Sequence, residues 1–278
     1  MKIERIYKVY FSPTGNTKNV VGTIADSAAA LFGAPAEIID FTLPSARTKT
    51  YSFTPTDLVV FGTPVYAGRV PNKILPFVQE GFSGCGAMAL PVVTFGNRSF
   101  DDGLMELRNE LTVCGFHCIA AGAFPSAHVF SSKIAADRPD DSDLALMNRL
   151  GQAAAGKIAL LSECTAADLP SVEVRGNDPV GPYYRPLGMD GQPAVFLKAK
   201  PKTDLSKCTK CGLCSTLCPM GSIDAADTSN ITGICIKCQA CVKSCPVGAK
   251  YFDDPAFLSH VAMLEKNYQR RAEAEIFI

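Results

Sequence analysis

Apolar residues run through the first 160 or so positions in two alternating rhythms. Residues 4–11, Glu-Arg-Ile-Tyr-Lys-Val-Tyr-Phe, are dense in β-branched and aromatic side chains and predict a strand. After a short polar stretch, Val20, Val21, Ile24, Ala28 and Leu31 recur at the helical period. The exchange then repeats. Ala36 to Phe41 and Asp57 to Gly62 read as strands, and the stretch near Val70 to Gln79 as a helix. Ala87 to Phe95 is a long apolar run of the kind buried on both faces of a parallel sheet. Leu104, Leu107 and Leu111 mark another helix, His117 to Phe124 a fifth strand and Ser142 to Leu161 a further helix. Strands alternating with helices predict an α/β fold built on a doubly wound, five-stranded parallel sheet.

From Thr165 to about Lys200 both rhythms stop. Pro170, Pro179, Pro182, Pro186 and Pro193, with Gly176, Gly181, Gly188 and Gly191, exclude long helices and strands. Tyr183, Tyr184 and Phe196 give this stretch apolar handles with which to pack as an arm. Cysteines set the pattern beyond it, in two halves that form an internal repeat. Pro255 then opens a last helix with Phe257, Val261, Leu264 and Tyr268 on one face. The predicted division is residues 1–164 as the α/β unit, 165–200 as a Pro/Gly-rich linker arm, 201–254 as a small cysteine-rich unit and 255–278 as a C-terminal helix.

Composition narrows the function classes. A chain of 278 residues, 47% apolar and 19% charged, is long enough for two globular units. Its formal charge of zero argues against a nucleic-acid surface. No segment approaches the apolar length of a membrane span, and Met1-Lys-Ile-Glu-Arg-Ile carries charges where a signal peptide needs an apolar run, so a soluble cytoplasmic protein without membrane insertion is expected. Of twelve cysteines, Cys85, Cys114, Cys118 and Cys164 share no spacing and read as small buried apolar groups. The other eight demand a reducing compartment. The oligomeric state is left open.

Those eight stand as Cys208-x2-Cys211-x2-Cys214-x3-Cys218-Pro219 and Cys235-x2-Cys238-x2-Cys241-x3-Cys245-Pro246. Soft thiolates select iron–sulfur clusters, zinc or Cu(I). Paired C-x2-C zinc sites would explain neither the third cysteine of each triplet nor the two Cys-Pro endings. Each run resembles the bacterial ferredoxin run, in which the fourth cysteine ligates the other cluster. The resemblance implies two [4Fe-4S] clusters, the first on Cys208, Cys211, Cys214 and Cys245, the second on Cys235, Cys238, Cys241 and Cys218, in a small α+β ferredoxin-like domain.

The first strand runs into Ser12-Pro-Thr14-Gly15-Asn16-Thr17 and then a helix, a context in which backbone N–H groups converge on an anion. Hydroxyls of Ser12, Thr14 and Thr17 and the Asn16 amide would complete such a cradle. No G-x4-G frame precedes a Lys-Ser/Thr pair, so it is not a triphosphate loop. The stretch resembles the FMN phosphate loop of flavodoxins, Ser/Thr-x-Thr-Gly-Asn-Thr, and implies the flavodoxin strand order with FMN at the switch point. Two further loops support the resemblance. Thr63-Pro64-Val65-Tyr66-Ala67-Gly68 is similar to the loop flanking the isoalloxazine, where Tyr66 would stack and Gly68 would admit the ring. Phe95-Gly96-Asn97-Arg98-Ser-Phe100-Asp101-Asp102 is similar to the loop whose backbone faces the pyrimidine edge. With no Trp, the chain departs from flavodoxins that sandwich the ring with one. His128 reads as a surface or internally satisfied histidine rather than a flavin contact, and His260 carries no visible chemistry.

Together the chain resembles the flavodoxin–ferredoxin fusion proteins of anaerobic bacteria. That resemblance implies an electron-transfer protein that relays electrons between two clusters, FMN and redox partner proteins. The alternatives are a flavin-dependent reductase of a small acceptor, with Tyr66 or His128 as proton donor, and a redox sensor with structural clusters. No Ser-His-Asp set, catalytic carboxylate pair or G-x-G-x-x-G nicotinamide fingerprint is present.

Overall fold

The computed structural model describes residues 2–160 and 170–278. Cys164, and Leu161 at the predicted end of its helix, lie outside the described residues. Chain order begins β1 (Arg5–Tyr10), α1 (Asn16–Phe32), β2 (Ala36–Asp40), a 3-10 turn (Pro44–Thr48), β3 (Tyr51–Ser52) and β4 (Asp57–Pro64). It continues α2 (Leu75–Glu80), β5 (Phe82–Ser83), β6 (Met88–Phe95), α3 (Gly103–Val113), β7 (His117–Cys118), β8 (Ala121–Pro125) and α4 (Asp141–Ala159). The main sheet runs β2-β1-β4-β6-β8, all parallel, with short β7 also beside β6. The order turns back at β1, the switch point where α/β sheets open a crevice beyond their strand ends. All eight residues of β6 are buried, because helices cover both faces. On one face Val20, Val21 and Ile24 of α1 pack with Met147, Leu150 and Ile158 of α4. On the other, Leu104, Leu107 and Leu111 of α3 pack with Val78 of α2 and a cluster of phenylalanines around Phe41.

The cysteine-rich segment contributes β9 (Lys202–Thr203), α5 (Leu213–Thr216), α6 (Ala240–Lys243) and β10 (Lys250–Tyr251), with β9 and β10 paired antiparallel at its ends. Then follow α7 (Pro255–Asn267) and β11 (Glu275–Phe277). Here the structure differs from the predicted C-terminal helix. The helix stops at Asn267, and β11 adds an antiparallel strand against β8. An open β8 edge would expose unpaired backbone groups, and the Ile276–Phe277 pair suits a strand better than a helix. Two buried side chains hold the intervening tail. Asn97 Nδ2 donates to the carbonyls of Tyr268 and Arg270, both at 2.7 Å, and its Oδ1 accepts from the Ala272 amide at 3.2 Å. Arg138, paired inside the protein with Asp143, donates to the Ala272 carbonyl at 2.8 Å. The predicted fifth strand is likewise split between β7 and β8. Among the described residues no helix is long and apolar enough to cross a membrane.

Gly62, in the middle of β4, sets how close α1 lies to the sheet. A Cβ there would stand 2.3 Å from Val21 Cγ2 and 2.8 Å from Thr17 Cγ2. Gly22, on α1 itself, has open space around its Cβ position. Gly62→Ala should therefore lower the unfolding free energy by about 1–3 kcal/mol through overpacking. Gly22→Ala should raise it by up to about 1 kcal/mol through helix propensity. Denaturant titration of the two variants checks both, and equal midpoints would show that α1 slides aside without cost.

Candidate functional site

Three loops leave the C-terminal ends of β1, β4 and β6 at one edge of the sheet, and beneath them lies a cavity of about 240 Å³. Ser12, Thr14, Asn16 and Thr17 form one wall. Gly15 does not line it; in the left-handed region at φ 91°, it caps the start of α1. Of the first amides of that helix, which have no intrahelical acceptor, that of Lys18 is taken by Ser12, and those of Asn16 and Thr17 are left to meet an anion. Several loop side chains are already engaged. Ser12 Oγ accepts from the Lys18 amide at 3.0 Å and keeps its own proton to donate. Thr17 Oγ1 shares a hydrogen bond with Thr94 Oγ1 at 2.8 Å, and Asn16 Nδ2 donates to the Ala127 carbonyl at 3.0 Å. Thr14 and Ser12 therefore keep more hydrogen-bonding capacity toward the cavity than Asn16 and Thr17.

Pro64, Val65, Tyr66, Ala67 and Gly68 form a second wall, and Phe95, Gly96 and Arg98 a third. Tyr66 and Arg69 exchange backbone hydrogen bonds at 2.9 and 3.2 Å, closing a tight turn whose corner residues Ala67 and Gly68 have φ of 50° and 80°. Gly68 serves the turn and its neighbour: a Cβ there would lie 2.3 Å from Asp101 Oδ2. Burial, then the thiols of Cys238 and Cys235, push the Tyr66 phenol well above its ordinary value, so it stays protonated.

Thr63, Asn97, Phe100 and Asp102, expected at the flavin, are not part of the cavity wall. Thr63 is fully buried. Asn97 is committed to the C-terminal tail. Phe100 packs on Phe95 and lies under the Arg175 guanidinium, 4.2 Å from the ring centroid. Asp102 accepts from the amides of Asn177 and Gly181, both at 2.8 Å. Burial opposes its ionisation, but these hydrogen bonds and Arg69 hold the carboxyl below the usual range. A polar residue beside a motif can thus tie down a distant segment, and sequence alone does not separate the two roles.

The remaining walls come from parts of the chain that sequence reasoning did not join to the loops. Ser126, Ala127 and His128, just after β8, line the cavity, as do Tyr184, Pro186 and Phe196 of the arm and His260 and Leu264 of α7. The Tyr184 amide donates to the Ala67 carbonyl at 2.8 Å, and Arg98 lies 4.0 Å from the Tyr184 ring centroid. Phe196 stacks on His260, whose Nδ1 meets the Leu187 carbonyl at 2.8 Å. Ile236 and Lys237, between two cysteines of the second run, complete the enclosure. His128 is thus a cavity residue with one satisfied nitrogen, not a surface histidine; Phe130 N donates to its Nδ1 at 3.1 Å. The signal for Ser126 to His128 was present, a polar turn ending a strand at the same sheet edge. For Ile236 and Lys237 there was none.

The cysteines assemble across the two runs. Cys208, Cys211 and Cys214 share a small cavity with Cys245, and Cys235, Cys238 and Cys241 share another with Cys218. The repeat extends to the backbone. Lys210 and Lys237 both have φ 57°, Gly212 and Gln239 have 76° and 64°, and Gly221 and Gly248 have 59° and 62°. Such left-handed corners let three cysteines face one centre. Ser222 N donates to Cys218 Sγ at 3.3 Å and Ala249 N to Cys245 Sγ at 3.2 Å. Burial opposes ionisation of Cys245, yet the surrounding amides of Val247, Ala249, Lys250 and Gly248 hold it below its ordinary value. Burial pushes Cys238 and Cys241 up to about 12, so those thiols ionise only when a metal takes the proton's place. Among the described residues no three His, Cys, Asp or Glu side chains are arranged to hold a single metal ion. Each quartet surrounds a space instead.

No curated protein matches the chain. Among solved structures, a flavodoxin from the domain Archaea is 16% identical with a TM-score of 0.42, the match covering 56% of this chain and 99% of that one. A flavodoxin of Streptococcus pneumonia TIGR4 is 15% identical with a TM-score of 0.40, covering 56% and 99%. The rubredoxin oxygen:oxidoreductase of the anaerobe Desulfovibrio gigas is 14% identical with a TM-score of 0.40, covering 57% of this chain and 37% of that one. Two family models match, one of a flavodoxin domain over residues 8–88 and one of a 4Fe-4S dicluster domain over residues 200–246. The first implies FMN and the second iron–sulfur clusters, and with them an electron-transfer or flavin redox role. The chain therefore joins a flavodoxin domain to a 4Fe-4S dicluster domain, as a flavodoxin–ferredoxin fusion.

Proposed function

We propose that the chain is an intramolecular electron relay in which the second cysteine quartet serves the flavin and the first faces the redox partner. The observation that carries this reading is one shared wall. Ile236 and Lys237 line the flavin cavity and also the cavity enclosed by Cys218, Cys235, Cys238 and Cys241. No residue of the first quartet's cavity reaches the flavin cavity. Cys211 is exposed at that far end, beside Leu213, which suits a port for a protein partner.

When bound, FMN exchanges one or two electrons and each cubane one, and the protein's part is to hold them near one another and out of water. Lys237 stiffens the shared wall: its Nζ donates to the Leu197 carbonyl at 2.6 Å and its amide to Cys235 Sγ at 3.4 Å. Tyr184, Pro186, Phe196 and His260 line the cavity from the arm and α7. In this reading the flavin unit (1–164), the arm (165–200), the cluster unit (201–254) and the C-terminal segment (255–278) work as one folded assembly in the cytoplasm.

Two expectations follow. Anaerobically prepared protein should contain about eight iron and eight acid-labile sulfide per chain. Cys218→Ala should cost the cluster of the second run and leave that of the first, as resolved by electron paramagnetic resonance; the opposite selectivity would show that each run ligates its own cluster.

The relay itself is tested by rapid mixing. With electrons supplied through the clusters, wild-type flavin should bleach in a fast phase, whereas direct reduction by NADH or NADPH should be slow. Replacing Cys211 and Cys238 together with Ser should abolish the fast phase while FMN stays bound, since neither cysteine lines the flavin cavity. Flavin reduced as fast in the variant as in wild type would overturn the relay.

A further inference from the structure

We propose that Ser126 and His128, on the loop leaving β8, are a fourth polar wall of the flavin site, hydrogen-bonding the cofactor between its phosphate and its ring edge. This rests on the cavity being the FMN site. None of the three loops carrying the flavodoxin resemblance includes these residues.

Ser126 supplies the first observation. It is 2% exposed, lines the cavity, and its Oγ has no hydrogen-bond partner. A buried hydroxyl left unpaired is destabilising, and alanine would fill the same space without that cost. Its backbone is held in place, with Ser126 N donating to the Phe95 carbonyl at 2.9 Å.

His128 supplies the second. Its Nδ1 accepts the Phe130 amide, so in the neutral ring Nε2 carries the hydrogen. Burial, with His260, Lys243 and Arg98 around it, pushes His128 down to about 4, leaving a neutral N–H donor near neutral pH. The ring sits directly over Gly96, where a Cβ would come within 2.2 Å of Cδ2 and 2.9 Å of Nε2. Glycine at that position is thus what allows the imidazole to close on the loop after β6.

The loop's place between its neighbours points to the part of the ligand it meets. The Ala127 carbonyl is bonded to Asn16 of the phosphate loop, and His128 rests on the loop after β6. Phe130 packs edge-on to His128 at 5.2 Å and to Phe257 of α7 at 4.9 Å, and Lys243 of the cluster domain donates to the His128 carbonyl at 3.5 Å. A polar pair so braced meets the ribityl chain and the adjoining ring edge, not the terminal phosphate.

FMN and riboflavin titrations of the full-length, cluster-loaded protein, followed by flavin fluorescence and visible absorption, provide the test. Ser126→Ala and His128→Phe should each weaken both flavins by the same factor, roughly three- to tenfold, the range one lost hydrogen bond supplies. Each should also shift the bound flavin's absorption band. Thr14→Ala should weaken FMN alone. His128→Gln, which keeps an N–H donor, should recover part of the loss caused by His128→Phe. Ser126→Ala removes a single atom from a settled backbone, so it decides the matter even if the His128 variants fold poorly. Wild-type affinity in Ser126→Ala, or a loss confined to FMN, overturns the proposal while leaving the FMN site intact. Wild-type protein that binds neither flavin overturns the site reading itself.

Discussion

The antiparallel pairing of Glu275–Phe277 with Ala121–Ala123 closes the chain on its own sheet, and the position of everything between depends on it. The backbone leaves the sheet after α4, passes through the arm and the cysteine segment, and returns to the exposed edge of β8. Both ends of the cluster domain's path are thereby anchored on the flavodoxin sheet. Asn97 and Arg138 reinforce the return by spending buried polar groups on the tail's backbone. A cluster domain on a free tether would sample many distances from the cavity. This one is held with Ile236 and Lys237 in the cavity wall.

The arm is secured by the same kind of interaction. Asp102 binds the amides of Asn177 and Gly181, the Tyr183 hydroxyl donates to the Val70 carbonyl at 3.0 Å, and Arg69 bridges the Gly181 carbonyl and buried Glu106. On the other side Arg47 donates to the carbonyls of Phe41 and Thr42, at 2.8 and 2.6 Å, and also to that of Pro219 beside Cys218. Backbone groups in a segment without helix or strand need such partners when buried. The polar residues around the three loops therefore divide between two tasks: a few face the cavity, and the others hold the arm and the C-terminal tail.

Much of this was legible in the sequence because it is local. Two runs with identical cysteine spacing imply two identical sets of backbone corners, and the structure has them at Lys210 and Lys237 and at Gly212 and Gln239. The apolar run ending in Phe95 implied a strand covered on both faces, which β6 is. Ser12 to Thr17 marked a helix N-terminus at the strand end, with Gly15 supplying the left-handed corner.

What the sequence could not decide was which side chains of a loop turn inward. Tyr66 and Asp102 stand beside equally suggestive motifs, yet one faces the cavity and the other binds the arm. Nor could it join His128, Tyr184, Phe196, Ile236 and His260 into one enclosure, since they lie on segments far apart in the chain. Periodicity and spacing report what a residue's chain neighbours impose on it. Contacts across a hundred residues depend on how the sheet edge is closed and on which buried backbone groups still need a partner, and only the tertiary structure settles those.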